Sequence, residues 1–305
     1  MLNIYVVGCG GIGGYLINLL PMAIASLSLD MLSEGGTIDI QPFLDEAGTL
    51  SIPLICDRIT LIDGDTFNAR NSLRQGEGVG SKLTQRIRSL VDKRNSVLLG
   101  SWARRLDIQG WPVYINPDNM NKIIPHEPEP NNENHCTRDM FRKCRSRFGT
   151  LDMPVVFLCV DNKKTRYEIS KYMETFSDCI VINGGNDRTT GHVTIYQRKG
   201  GRELDPNLYE MYPGVTATAD KRPDEVACGT VAPKHDQIAN TNAIIANWMS
   251  VVFNNLIRWG ENNYKGNRRV NEILIDTDGY TTMAIYHEPK TKEENDGKED
   301  QNRDQ

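Results

Sequence analysis

Ile59-Thr60-Leu61-Ile62-Asp63-Gly64-Asp65-Thr66-Phe67-Asn68-Ala69-Arg70-Asn71-Ser72-Leu73-Arg74-Gln75 is the stretch whose reading decides the fold. A β-branched and apolar run ends in an acid, a glycine turn follows, and Asn, Arg and Gln come in close succession. That is a strand delivering polar groups to its carboxyl edge, where open α/β sheets bind ligands. Its partner lies upstream, where Ile4-Tyr5-Val6-Val7 runs into Gly8-Cys9-Gly10-Gly11-Ile12-Gly13 and then into an apolar helix. A strand, a glycine turn and a helix amino terminus suit a phosphate, because unpaired N–H groups and the helix dipole meet there. Two such edges side by side make a nucleotide site.

Working outward, strands and helices alternate. Leu16, Leu19, Leu20, Ala23, Ile24 and Leu27 recur at helical spacing over residues 12–31, with Pro21 inside as a possible kink point. Residues 33–57 are rich in Gly, Pro and acids and read as an insertion. A second helix is expected over residues 82–94 and a strand over 111–115. Residues 116–134, inside a second insertion near 116–150, lack apolar periodicity and read as an exposed loop. A buried strand over 154–160 ends in Asp161-Asn162 at the start of a helix over 163–175. Strands over 179–182 and 192–196 flank an Asn183-Gly184-Gly185-Asn186 turn. A Pro-rich crossover occupies residues 200–235, a long helix 237–259, and strands near 273–275 and 283–286 close the pattern. The expected fold is α/β: a doubly wound, mostly parallel, Rossmann-like sheet in one domain over residues 1–287, with a charged tail over 288–305.

Composition narrows the class. With 305 residues, 39% of them hydrophobic, the chain can bury a substantial core. A formal net charge of -5 argues against general affinity for nucleic acid. The apolar stretch over residues 243–257 is interrupted by Asn247, Asn254 and Asn255, so no membrane span is expected from it. Seven cysteines, an odd set with no CxxC pair, indicate reduced thiols rather than a disulfide framework, and a cytoplasmic location is expected.

The GxGGxG turn alone is shared by dehydrogenases and many nucleotide binders. A dehydrogenase needs a ribose-binding acid about 20 residues after the glycines, and Asp63 serves if the insertion is looped out. It does not need Asn71, Arg74 and Gln75 in step after that acid, which disfavours a nicotinamide-dependent oxidoreductase. Here the chain resembles the superfamily of ThiF, MoeB and the ubiquitin-activating enzymes. The family pattern of two acids two residues apart followed by Asn-x-x-Arg-Gln matches Asp63, Asp65, Asn71, Arg74 and Gln75. The likeness continues through Gly80-Ser81-Lys82 and through Asp161-Asn162 with Arg166.

The resemblance implies ATP-dependent adenylation of the carboxyl terminus of a small ubiquitin-like or sulfur-carrier protein by a homodimer. It implies ATP held by the glycine turn (Gly8, Gly10, Gly11, Gly13) and by Asp63, Asp65 and Gln75. It assigns catalytic cations Arg74 and Lys82 with Asn71, and Mg²⁺ on Asp161. The chemistry agrees: a carboxylate attacking the α-phosphorus of ATP needs cations and donors where negative charge develops. A plainer reading of Asp161 is a helix N-cap. Within the superfamily the chain resembles the PRTRC-system branch, on Asn183 to Asn186, Gly191-His192-Val193 and Ala227-Cys228 before the long helix. Cys228 then reads either as a thioester-forming nucleophile or as a buried structural thiol. Cys9 reads as a small filler of the glycine turn. The family's homodimers reach an arginine into the neighbouring site from an amino-terminal helix for which this sequence offers no counterpart. Either another basic residue substitutes or turnover is compromised, so the rival within the family is a nucleotide-holding scaffold or partner subunit that has lost turnover.

Overall fold

The computed structural model describes residues 2–32, 54–67, 80–97, 106–126, 153–216, 239–259 and 269–289. The elements are β1 (Leu2–Val7), α1 (Gly11–Leu32), β2 (Cys56–Ile62), β3 (Thr66–Phe67), β4 (Gly80–Ser81), α2 (Lys82–Val97), β5 (Asp107–Trp111) and α3 (Met120–Ile123). They continue as β6 (Met153–Leu158), α4 (Lys163–Met173), β7 (Cys179–Asn186), β8 (Thr190–Lys199), β9 (Arg202–Glu203) and α5 (Leu208–Met211). A 3₁₀ turn (Pro213–Thr216), α6 (Ala239–Trp259), β10 (Glu272–Asp276) and β11 (Thr281–Ile285) complete the set.

One sheet takes the order β11-β10-β8-β7-β6-β1-β2-β5, with β9 paired to β8. β5, β2, β1, β6 and β7 are mutually parallel, and an antiparallel extension of β8, β10 and β11 follows at the other edge. The strands explain themselves by burial on both faces. In β1, Ile4 and Val6 enter one core while Tyr5 and Val7 enter another. β6 does the same, with Val155 and Phe157 on one side and Val156 and Leu158 on the other. A strand covered on both faces reads as a continuous apolar run, which is what both sequences show.

The first core is closed by α1, α2 and α6. Leu16, Leu20, Ile24 and Leu27 of α1 and Ile245, Met249, Phe253 and Leu256 of α6 bury their stripes there, with Phe157 and Phe253 edge to face at 5.6 Å. The second core is closed by α3 and α4, through Met120, Ile123, Ile169 and Met173. Helices on both faces make the sheet doubly wound, a Rossmann-like α/β fold as the alternation of elements implied. Over Gly11–Asp30, α1 is long and apolar enough to cross a membrane by length and composition, with mean hydropathy 1.6, yet 61% of that stretch is buried within the fold.

Four expectations need correction. The strand placed at residues 111–115 is β5, Asp107–Trp111, paired to β2. The exposed loop is only partly exposed where it is described: Pro117, Asp118, Asn121, Lys122 and His126 are exposed, but Met120–Ile123 form α3, and Met120, Ile123 and Ile124 are buried. Their spacing of three and four is helical, and a helix of four residues is too short to stand out among Pro and Asn. Residues 183–186 are not a turn but the end of β7, paired to β8 through Asn186 and Gly191. Glycine is tolerated in that strand because Met249 and Ile245 crowd Gly184 and the His192 ring lies over Gly185. The first insertion ends earlier than residue 57, since Leu54, Ile55 and Cys56 are core residues leading into β2. The 33–53 segment, most of the second insertion, the crossover beyond residue 216 and the tail beyond residue 289 lie outside the described residues.

Candidate nucleotide site

β1 sits between β2 and β6, with β5 beyond β2 and β7 beyond β6, so the strand order reverses about it and a crevice opens at its carboxyl end. A cavity of about 1180 Å³ occupies that crevice and extends across the edge of β7 and β8 to β10 and β11. Its first wall is the glycine turn. Gly8 leaves β1 with φ +88, in the left-handed region, and donates to the Ile62 carbonyl at 2.9 Å, while Cys159 donates to the Val7 carbonyl at 2.8 Å. A Cβ on Gly8 would stand 2.8 Å from the Cys159 carbonyl oxygen, and one on Gly13 would fall on the Gly8 carbonyl oxygen. Both positions require glycine for a tight strand-to-helix passage. Cys9, fully buried, fills the inside of the turn, and burial above all, then the charge of Asp63, raises its thiol well above the ordinary value.

Asp63 ends β2 facing the turn. Its two oxygens accept the backbone N–H of Cys9 at 2.6 Å and of Asp65 at 2.8 Å. Burial raises its pKa, opposed by the Lys82 ammonium and by those two donors. Asp65 accepts from Lys82 Nζ at 2.8 Å and from the Tyr114 hydroxyl. Lys82 opens α2 with its side chain 9% exposed, and Nζ lies 3.9 Å from where a Gly10 Cβ would be. One helical turn on, buried Arg86 donates through Nε to the Cys9 carbonyl at 3.1 Å and packs its guanidinium on Gly14. The turn is therefore braced from outside by a cation that never reaches the cavity.

After β6, Asp161 lines the cavity and is exposed. The N-cap of α4 is Asn162, whose Oδ1 accepts the Thr165 N–H at 2.8 Å, so capping is not the role of Asp161. Among the described residues no group of three or more His, Cys, Asp or Glu could cage a metal. A carboxylate on the wall of this cavity suits Mg²⁺, which keeps waters and takes phosphate oxygens rather than an all-protein cage. Arg166 turns inward instead: it donates to Asn183, to the Val160 carbonyl and, at 2.9 Å, to the Gly184 carbonyl, tying the ends of β6 and β7 together. Full burial lowers its pKa to about 10.

The far end of the cavity is a different environment. His192 lies over Gly185 and stacks on Tyr212 at 5.3 Å, and burial first, then the Arg166 charge, lowers its pKa to about 4. Leu274 and Met283, 37% and 60% exposed, present apolar surface from β10 and β11.

Of the residues picked from the sequence, Gly8, Gly10, Gly11, Asp63, Asp65, Lys82 and Asp161 line this one cavity, and Gly13 shapes the turn beneath it. Asn71, Arg74, Gln75 and Cys228 lie outside the described residues. Sequence reasoning missed Arg86, Tyr114 and the far-end role of His192. Arg86 was findable, four residues after Lys82 on the same helix face. Tyr114 was not, since 49 residues separate it from Asp65.

No family model matches the chain, and no curated protein matches it. Solved structures do resemble it. MccB from E. coli with ATP aligns at TM-score 0.53 and 16% identity, over 94% of this chain and 64% of MccB. MccB with AMPCPP and MccA aligns at TM-score 0.52 and 15% identity, over 95% of this chain and 65% of MccB. PaaA aligns at TM-score 0.51 and 12% identity, over 94% of this chain and 64% of PaaA. The chain thus spans a little under two thirds of the length of these structures, and at such identity what is shared is the fold, a mostly parallel Rossmann-like sheet with its helices.

Proposed function

We propose that this protein is an ATP-dependent adenylyltransferase that activates the terminal carboxylate of a small protein or peptide. The carrying observation is the convergence, in one crevice at the switch point of the sheet, of the glycine turn, Asp63, Lys82 and Asp161. Support also comes from the fold shared with MccB, solved with ATP and with AMPCPP and MccA.

In this reading the N–H groups of residues 10–13 cradle phosphate, and Asp63 accepts from the ribose hydroxyls. Lys82 and Arg74, with Asn71 and Gln75, offset charge on the phosphate oxygens as the substrate carboxylate approaches the α-phosphorus. A carboxylate oxygen forms the new P–O bond, the bond to pyrophosphate breaks, and the products are an acyl-adenylate and pyrophosphate. Asp161 would hold Mg²⁺, which when bound neutralises phosphate charge. The apolar wall at Leu274 and Met283 suits the chain that carries the carboxylate. The finer reading takes that chain as a ubiquitin-like or sulfur-carrier protein, the enzyme as a homodimer of the PRTRC branch, and Cys228 as a candidate thioester acceptor.

The test is ATP–pyrophosphate exchange in the presence of small β-grasp proteins and free peptides. Exchange dependent on one of them and lost in Asp161→Ala is expected. ATP binding without exchange for any carrier would favour the scaffold. A reductant-sensitive carrier adduct that disappears in Cys228→Ser is expected if the thioester step exists.

A further inference from the structure

We propose that Tyr114 is a positioning residue for the nucleotide site: its phenol fixes Asp65, and Asp65 in turn holds the Lys82 ammonium over the glycine turn. This rests on the nucleotide reading of the same cavity and adds a residue to it that the family pattern of acids, Asn, Arg and Lys does not contain.

The argument starts with lysine. An ammonium on a four-carbon stem is a mobile point charge, and each contact it makes must overcome the rotamer freedom of that stem. The Lys82 side chain is 9% exposed, and its ammonium is anchored by Asp65 Oδ2 at 2.8 Å. Asp65 is itself 38% exposed in its side chain, a carboxylate half in water that would swing between rotamers if held only by the cation it holds. The Tyr114 hydroxyl donates to the other oxygen, Oδ1, so the two oxygens are divided between the phenol and the ammonium.

Tyr114 is rigid in a way that Asp65 and Lys82 are not. Its ring lies across Gly64, where a Cβ would stand 2.9 Å from Cγ. Its carbonyl accepts from Asn119 Nδ2 at 2.9 Å, and Asn119 precedes α3, whose Met120 and Ile123 are buried in the second core. Support therefore runs from that core through α3 and Tyr114 to Asp65 and Lys82. It ends beside Gly10, which with Gly11 lines the cavity. One of the three donors of the ammonium goes to Asp65, and that contact keeps the charge beside the turn. Three segments, after β2, at the start of α2 and after β5, meet here, the first two joined as well by the pairing of Thr66 with Ser81 between β3 and β4.

The experiment is a double-mutant cycle read by calorimetric titration of the full chain with MgATP and, separately, with adenosine, which has no phosphate. Tyr114→Phe keeps the ring and removes the donor. Expected are a loss of MgATP affinity of about tenfold, adenosine affinity unchanged, and no further loss when Tyr114→Phe is added to Lys82→Met. Tyr114→His against Tyr114→Leu repeats the comparison of donor with no donor should the phenylalanine variant not fold. Equal losses for MgATP and adenosine, losses that add fully to those of Lys82→Met, or wild-type affinity in Tyr114→Phe would each overturn the inference while leaving the nucleotide reading intact. Failure of the wild-type protein to bind either ligand would overturn both.

Discussion

His192 and Arg166 are neighbours whose burial has opposite consequences for solvent conditions and for mutation. An unfolded histidine titrates at about 6.5, whereas His192 in the fold is lowered to about 4 by burial and by Arg166. The sign follows directly. Above about 6.5 both states are neutral and the full stability is present; as pH falls from there toward 4, the unfolded chain takes up a proton that the folded one refuses, and stability is lost. Over that window the loss amounts to roughly 2–3 kcal/mol after allowance for residual solvent contact. Urea unfolding at pH 7 and pH 4.5 should therefore show a smaller loss in His192→Gln than in wild type; an identical loss in both would refute a neutral His192. The raised carboxylates, such as Asp63, act in the other direction, so the comparison between the two proteins is what isolates the histidine. Arg166 has no such titration near neutrality. Arg166→Met would leave the Val160 and Gly184 carbonyls and the Asn183 side chain without their shared donor, at a cost of about 3–5 kcal/mol. Chemical denaturation measures that directly, and a change under 1 kcal/mol would show that the guanidinium is replaceable there.

At the scale of elements, the strand-turn-helix unit from β1 to α1 is the least forgiving part of the chain. Gly13→Ala drives a methyl onto the Gly8 carbonyl oxygen, so backbone must move. Several kcal/mol of destabilisation are expected, of the order seen for overpacking at a strained position. Gly200 is a useful control: it also has positive φ, at +57, but nothing lies within 4 Å of its would-be Cβ. Gly200→Ala should cost only the left-handed backbone penalty, roughly 1–2 kcal/mol. Urea midpoints for the two variants should separate clearly, and equal midpoints would mean that the turn relaxes around the added methyl. The same element scale shows where patterns mislead. α1 and α6 were legible because Leu16, Leu20 and Ile24, and Ile245, Met249 and Phe253, repeat over many turns. α3 was not, because one turn cannot display a period; its Met120 and Ile123, with Ile124 just after it, are buried in the second core.

For the molecule as a whole, the cavity is continuous from the glycine turn to the β10–β11 face, so one occupant couples β1, β2, β6 and the antiparallel extension. A ligand that binds only the folded state stabilises it by mass action, about 2.7 kcal/mol at a hundredfold excess over Kd. For a chain of this size that corresponds to roughly 3–8 °C in thermal unfolding. MgATP should raise the midpoint by that amount, and Asp63→Ala should abolish the rise. A nicotinamide dinucleotide raising it while MgATP does not would turn the assignment toward the oxidoreductase.

The amino-acid sequence by itself determined the alternation of strands and helices, the glycine turn, and the acids at the ends of β2 and β6. These are local: a fully buried strand must be apolar along its length, and a tight passage into a helix must be glycine. Only the tertiary structure decided that Asp63, Lys82 and Asp161 share one crevice, that Asn162 rather than Asp161 caps α4, and that Arg166 faces inward. It alone brought Tyr114 to Asp65 and His192 to Tyr212. Such pairings join residues tens of positions apart, and no periodicity records them, because they depend on the order in which strands lie side by side in the sheet rather than on the order in which they are strung along the chain.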